Sequence, residues 1–239
     1  SFSPARARAG QFSYATNRPR GGLQGRPTAE LQTKKDVPMP RIARAILSCH
    51  DKTGLVELAE FLAVSGVEMI STSGTLDVLR EAGLQVQSIA EFTGMPELMD
   101  GRVKSLHPRV HAGLLGVRDN KVHVEQMQEH GMQWIDLLVV NLRPVETLLS
   151  QPKAEMGEIF EQIDIGGTAM MRSAAKNFRY VTVAVNPAGY PLIMHEMRAN
   201  EGGVSYPTRY RLAQEAFQAC ADYDLAIAEY LKRTQPETE

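Results

Sequence analysis

The stretch Ile42-Ala43-Arg44-Ala45-Ile46-Leu47-Ser48-Cys49-His50-Asp51-Lys52-Thr53-Gly54 passes from an apolar run of strand length into a polar loop closed by glycine. Leu55, Leu58, Ala59, Phe61 and Leu62 follow at helical spacing, which completes one strand, loop and helix unit. The order then recurs. Val67 to Ile70 is followed by Ser71-Thr72-Ser73-Gly74-Thr75 and by Leu76, Val78 and Leu79 on a short helix ending near Gly83. A third strand, Leu84 to Ile89, leads into Glu91 to Met99. Asn120 is placed to cap a helix over Lys121 to His130, and Ile135 to Val140 reads as a central strand ending at Asn141-Leu142-Arg143-Pro144. A helix around Met156 to Ile163 precedes Asp164-Ile165-Gly166-Gly167-Thr168, and a further helix runs from Ala169 to about Asn177. A last buried strand, Val181 to Val185, and helices near Tyr190 to Ala199 and Thr208 to Leu231 end the pattern. Strands alternating with helices predict an α/β fold, a three-layer sandwich with a parallel, Rossmann-like sheet and right-handed crossovers. Ligands bind at the carboxyl ends of the strands in such folds, where every polar motif of this chain falls.

A chain of 239 residues with 43% hydrophobic content can bury one sizeable core. Residues 1 to 40 are rich in Arg, Gly, Pro, Ser and Gln and predict a disordered basic leader, residues 41 to 232 the folded domain, and residues 233 to 239 a tail. The leader is read as dispensable; its Arg and Ser content has something of an organelle transit peptide, and Met39 offers an alternative start of translation. It holds seven Lys or Arg against two acids, which leaves 19 cations and 26 acids, a net of −7, for the rest. That remainder is a poor polyanion surface, so no nucleic-acid partner is expected. No apolar run approaches the roughly 20 residues that span a bilayer, and no secretory h-region follows the start. No membrane association is expected, and the cytoplasm is the expected location. Cys49 and Cys220 are too few for a disulfide framework or zinc cluster, which fits a reducing compartment.

Asp100-Gly101-Arg102-Val103-Lys104-Ser105-Leu106-His107-Pro108 sets two cations, a hydroxyl and an imidazole in nine residues. Arg102 and Lys104 alternate with no following carboxylate, as an anion-binding loop requires, although a basic turn has the same look. Asp51-Lys52-Thr53-Gly54 and Ser71-Thr72-Ser73-Gly74-Thr75 put hydroxyls and amides at helix N-termini, the natural seat of a phosphate, with simple capping by Thr53 or Thr75 the alternative. Together with Arg102 and Lys104 they favour a nucleotide monophosphate or sugar phosphate, since neither GxxxxGK[ST] nor GxGxxG occurs. Asp164 and Lys176 flank one helix and could share a proton if brought together, or could cap and face solvent. His107 and His111 have metal-ligand spacing, but Pro108 speaks against a helix across them and no third ligand is near, so no metal is expected. Cys49 is read as a small packed residue, and Phe217, Cys220 and Tyr223 as the core face of the last helix.

Met99 to Pro108 (M-D-G-R-V-K-[ST]-L-H-P), Ile163 to Met170 (I-D-I-G-G-x-A-M) and Arg172 to Asn177 (R-x-A-A-K-N) occur in this order. With Ser48 to Gly54, Ser71 to Thr75, Asn141 to Pro144 and Thr208 to Leu231, they resemble the inosine monophosphate (IMP) cyclohydrolase domain of the bifunctional purine-biosynthesis enzyme, over about residues 41 to 232. The resemblance implies a methylglyoxal synthase-like fold, a homodimer, and dehydrative ring closure of formamidoimidazole carboxamide ribotide without cofactor or metal. It implies that Lys104 polarises the formyl oxygen and that Asp164 and Lys176 handle protons. Lys52, Ser71, Thr75, Arg102 and Ser105 would hold phosphate and ribose, Asn141 would lie beside the base, and Gly74, Ile165 and Gly166 would be further substrate-binding residues.

The chain departs from the family pattern in three places. S-x-S-D-K-T-G brings His50 in place of its second serine, S-T-G-G-T brings Ser73, and N-L-Y-P brings Arg143 where the family has an active-site tyrosine. Arg143 offers a fixed positive charge to an oxyanion instead of a phenol. The chain ends at Glu239 without the transformylase domain, so the formylated substrate is expected from a separate transformylase. A regulatory domain that senses a purine monophosphate and a methylglyoxal synthase-like lyase are the alternative readings.

Overall fold

Ala45, Ile46 and Leu47 are closed off from solvent in strand β1 (Arg44–Cys49), the burial expected of a parallel strand covered by helices on both faces. The computed structural model describes residues 39–145, 147 and 156–234. Residues 1–38 of the expected leader and 235–239 of the tail lie outside the described residues. β1 pairs in parallel with β2 (Glu68–Ser71) on one side and with β4 (Leu137–Asn141) on the other. β3 (Gln87–Ser88) and β5 (Thr182–Ala184) complete a parallel sheet of order β3-β2-β1-β4-β5. The chain reverses its direction of travel across the sheet between β1 and β4, whose register sets Cys49 beside Asn141. That switch point is where a ligand crevice opens in folds of this kind.

Helices flank the sheet in two packed sets. α1 (Leu55–Val64) packs with α2 (Ser73–Glu81) and α8 (Tyr190–Ala199), and α7 (Ile165–Lys176) packs with α4 (Pro108–Leu115) and α9 (Tyr206–Arg233). The shorter α3 (Ile89–Thr93), α5 (Lys121–Glu129) and α6 (Met156–Glu161) lie between these along the chain. α9 holds α7 at both ends. Tyr223 Oη accepts the Asp164 N–H at 2.9 Å, and Arg209, 1% exposed, donates to the carbonyls of Phe178 and Arg179, each at 2.9 Å. Burial lowers the Arg209 pKa to about 10, yet its three guanidinium nitrogens donate to the carbonyls of Phe178, Val204 and Arg179, which keeps the charge hydrogen-bonded.

The expected α/β sandwich is present, with local corrections. The third strand shortens to Gln87–Ser88, because Ser88 and Glu91 form a capping box that starts a helix at Ile89. A helix does cross His111. Pro108 is its first residue, where the missing N–H costs nothing, and His107 is the cap, accepting from Arg109 N at 3.1 Å. The helix expected from Ala169 begins at Ile165, because Asp164 caps it. Phe217 is 41% exposed and not core, whereas Cys220 and Tyr223 are buried.

The strands that define the switch point are also locked at their amino ends. The Asp136 carboxylate, 4% exposed, accepts the N–H groups of Ala43 and Arg44 at 2.8 Å each and meets Arg118 at 2.6 Å. Asp136→Ala leaves two strand amides and a cation without their acceptor. It should cost about 3 kcal/mol, read as a lower urea midpoint at unchanged slope.

Candidate active site

Asn141, the last residue of β4, clamps the loop that leaves β1. Its Oδ1 accepts the N–H groups of His50 and Asp51 at 2.8 and 2.7 Å, and its Nδ2 donates to the Asp51 carbonyl at 2.9 Å. Asp51 in turn accepts from the Thr53 amide and hydroxyl at 2.9 and 2.7 Å, which holds its carboxyl below the usual range. Gly54 then enters α1 with a left-handed φ of 66°, a conformation that favours glycine. Lys52 curls back so that Nζ lies 3.2 Å from the Cys49 carbonyl and 3.4 Å from that of His50. Cys49 is buried against Tyr190 Oη at 3.7 Å, and burial pushes its thiol up to about 11, which leaves it an inert packed residue at neutral pH.

The second loop brings one correction. Ser71 is 0% exposed and donates to the Leu47 carbonyl at 2.8 Å, so it cannot face a ligand; strand alternation turns it into the sheet. Thr72 and Ser73 border the cleft in its place. Thr72 Oγ1 pairs with Ser48 Oγ at 2.7 Å, and Thr75 Oγ1 accepts from Cys49 N and donates to Cys49 O, both at 2.9 Å. Neither Thr53 nor Thr75 caps its helix, so the hydroxyls tie loops to one another instead. The first-turn amides of Ser73 and Gly74 have no acceptor within α2, and open space surrounds Gly74.

The cation loop approaches from the other side. Met99, Asp100 and Gly101 have φ of 52°, 54° and 85°, a corner of three left-handed residues that turns Arg102 and Lys104 toward the cleft. Lys104 Nζ donates to Ser73 Oγ at 3.1 Å, and Ser73 Oγ donates to Glu97 Oε1 at 2.9 Å. Arg102 forms an exposed ion pair with Glu161. Ser105 is buried directly beneath α7, where any Cβ at Gly166 would run into its Oγ. Asp164 accepts from Gly167 N at 2.6 Å, and a Cβ at Gly167 would lie 2.5 Å from the second carboxylate oxygen. The glycine pair therefore lets α7 close on both Ser105 and its own cap.

These groups border a cleft of about 720 Å³ at the β1/β4 switch point. Lys52, Gly74, Thr75, Arg102, Lys104, Ser105, Asn141, Arg143, Asp164, Ile165 and Gly166 all reach it. Arg143 donates to Gln162, and with His50 and Lys52 it also borders an adjoining hollow of about 900 Å³. Lys176 does not reach the cleft. It stands exposed in the last turn of α7, whose 12 residues carry it about 18 Å from the Asp164 end, so one chain cannot bring that pair together. Sequence reasoning gave no role to Glu97, Glu161 or Gln162, which bear no motif and acquire partners only through folding.

A doubly wound parallel sheet with two helix N-termini and several cations around its switch-point crevice defines an α/β protein whose cleft has the chemistry of an anion site. Comparison with known proteins narrows the class. Residues 54–169 match the MGS-like domain and residues 174–239 the AICARFT/IMPCHase bienzyme. The bifunctional purine biosynthesis protein PurH of Ruegeria pomeroyi is 52% identical over 190 residues, which cover 80% of this chain and 36% of the relative. That of Chlorobium phaeobacteroides is 48% identical over 200 residues, covering 84% and 38%. The crystal structure of ForH superposes with a TM-score of 0.71 at 34% identity, covering 79% of this chain and 98% of that one. The chain belongs to the family defined by the MGS-like domain and the AICARFT/IMPCHase bienzyme, and it spans little more than a third of the length of these curated relatives.

His111 fastens the cation loop's helix to α7 through Nδ1 and Ser173 Oγ at 2.9 Å, and burial lowers its pKa from 6.5. The unfolded chain therefore binds the proton first. The stability that neutral His111 contributes is complete above pH 6.5 and is lost as pH falls toward the lower folded value. Urea midpoints between pH 7.5 and 5.5 should fall more steeply in the unaltered protein than in His111→Asn.

Proposed function

We propose that this chain is an IMP cyclohydrolase, closing the ring of formamidoimidazole carboxamide ribotide in purine biosynthesis. The reading is carried by the convergence of the α2 and α7 N-termini with Arg102, Lys104 and Asp164, drawn from separate stretches of chain, in one cleft. The ribotide phosphate is received by the Ser73 and Gly74 amides, while Arg102 exchanges Glu161 for the phosphate as a planar fork. Lys52, Thr75 and Ser105 border the ribose, and Asn141, Ile165 and Gly166 border the base.

Both reacting groups belong to the substrate. The carboxamide nitrogen attacks the formyl carbon and forms the new C–N bond, and the formyl oxygen takes up the negative charge. Because an amide nitrogen is a weak nucleophile, the cleft must hold the two groups in contact. It must also stabilise the oxyanion and remove the nitrogen's proton. Lys104 donates to the oxyanion, and Asp164 accepts the carboxamide proton and passes it to that oxygen, giving a carbinolamine hydroxyl. The C–O bond then breaks as the formamido nitrogen gives up its own proton and forms the ring C=N bond, so that the oxygen leaves with two protons as water. Arg143 adds a fixed positive charge to the same wall. Lys176 takes no part within a single chain. We read the working unit as a homodimer in the cytoplasm; exposed Tyr210, Phe217, Leu225 and Leu231 along α9 support the pairing.

Lys104→Ala removes a charge from the oxyanion and should lower kcat by a factor on the order of 100 or more, equivalent to about 3 kcal/mol, with IMP binding retained. Steady-state formation of IMP from the formylated ribotide checks this. Tight IMP binding by the unaltered chain without turnover would overturn the enzyme reading in favour of a sensor.

A further inference from the structure

Lys104 can act on a carbonyl oxygen only if its ammonium stays in the cleft, and its flexible four-carbon stem loses rotamer entropy when held there. The backbone beneath it is no firm support. Met99 and Asp100 hold left-handed φ values of 52° and 54°, a conformation unfavourable for non-glycine residues, so the corner persists only if neighbouring contacts hold it. The visible tie is Ser73. We propose that Ser73 and Glu97 are positioning residues that aim the Lys104 ammonium at the reacting oxygen, an inference that rests on the cyclohydrolase reading.

The directions of the hydrogen bonds follow from elementary chemistry. An ammonium only donates, so Ser73 Oγ must accept from Lys104 Nζ at 3.1 Å. The serine proton is thereby left for Glu97 Oε1, 2.9 Å away, and the carboxylate fixes the hydroxyl with its lone pair toward the lysine. Chained bonds of this kind polarise one another and strengthen the acceptor. Ser73 is the first residue of α2, so the anchor belongs to a helix and not to the loop it steadies. The ammonium keeps two further donors, which leaves it able to serve a substrate oxygen. Because the serine stands between Lys104 and Glu97, the cation is oriented without being given over to a direct carboxylate partner. The same residue begins the helix whose amides are assigned to the phosphate, so phosphate site and catalytic cation share one rigid element.

Ser73 and Glu97 are both exposed, so replacing them spares the core. Ser73→Ala and Glu97→Ala should each lower kcat by about 10-fold with KM for the formylated ribotide changed less than about two-fold, since misplacement of the donor affects the chemical step. The double variant should be no slower than either single one, because the residues act in one chain of contacts. Glu97→Gln, which keeps an acceptor for the serine proton, should recover most of the loss. In parallel, the Lys104 Cε resonance of ¹³C-lysine-labelled protein, assigned by its disappearance in Lys104→Arg, should move in both alanine variants. An unmoved resonance, additive losses of kcat, or a rise in KM alone would overturn the proposal. Absence of turnover in the unaltered chain, with the resonance still moving, would instead overturn the cyclohydrolase reading and with it the catalytic purpose of the tie.

Discussion

The Asn141 amide is the constraint on which the rest of the site depends. One side chain at the end of β4 accepts two backbone N–H groups and donates to one carbonyl of the β1 loop, so the loop's shape is dictated by the neighbouring strand. This works only because β1 and β4 pair in register, with Cys49 beside Asn141, and because Asp136 fastens the same two strands at their other end. A slip of one residue would turn every side chain of β4 to the opposite face. It would carry the clamp away from the loop. The cleft is thus a product of sheet register first and of loop chemistry second.

The charged groups around the cleft already have partners. Arg102 rests on Glu161, Arg143 on Gln162, Lys104 on Ser73, and Asp164 on the Gly167 amide. These contacts differ in how easily a ligand can replace them. An exposed ion pair such as Arg102 with Glu161 is worth at most about 1 kcal/mol, so a dianionic phosphate that offers the guanidinium a bidentate partner can displace the carboxylate. The Asp164 cap and the Ser105 hydroxyl under Gly166 are packed into the fold and change little. Under the proposed reaction these contacts would give a movable phosphate grip beside a fixed reacting end, as suits a site that binds through one end of its substrate and reacts at the other.

Signals confined to one stretch of chain survived the passage from sequence to structure. The apolar runs of β1 and β4, the Asn120 cap of α5 and the parallel α/β architecture were legible, because period, capping and strand-helix alternation are local properties. Where side chains end up depends on packing that no local pattern records. Ser71 and Thr72 are adjacent hydroxyls in one loop, yet the pleat buries the first and turns the second to the cleft border. Asp164 and Lys176 suit a proton-sharing pair by residue type, but Lys176 is the last residue of the 12-residue helix that Asp164 caps, so the two stand at its opposite ends. Pro108 speaks in sequence against a helix across His111, yet at the first helical position it starts α4. Glu97 gave no signal at all, since a carboxylate between Pro96 and Leu98 acquires meaning only when folding sets it against Ser73. Of the three departures from the family pattern, Ser73 now has a physical account, and His50 and Arg143 share the wall between the cleft and the adjoining hollow.

The most direct test of the account is a crystal structure with IMP bound. The phosphate should lie against the Ser73 and Gly74 amides with Arg102 turned to it from Glu161, and the base should lie between Lys104 and Asp164. The nucleotide seated instead in the hollow beside Val185 and Pro187, with the Arg102 and Glu161 pair intact, would contradict it.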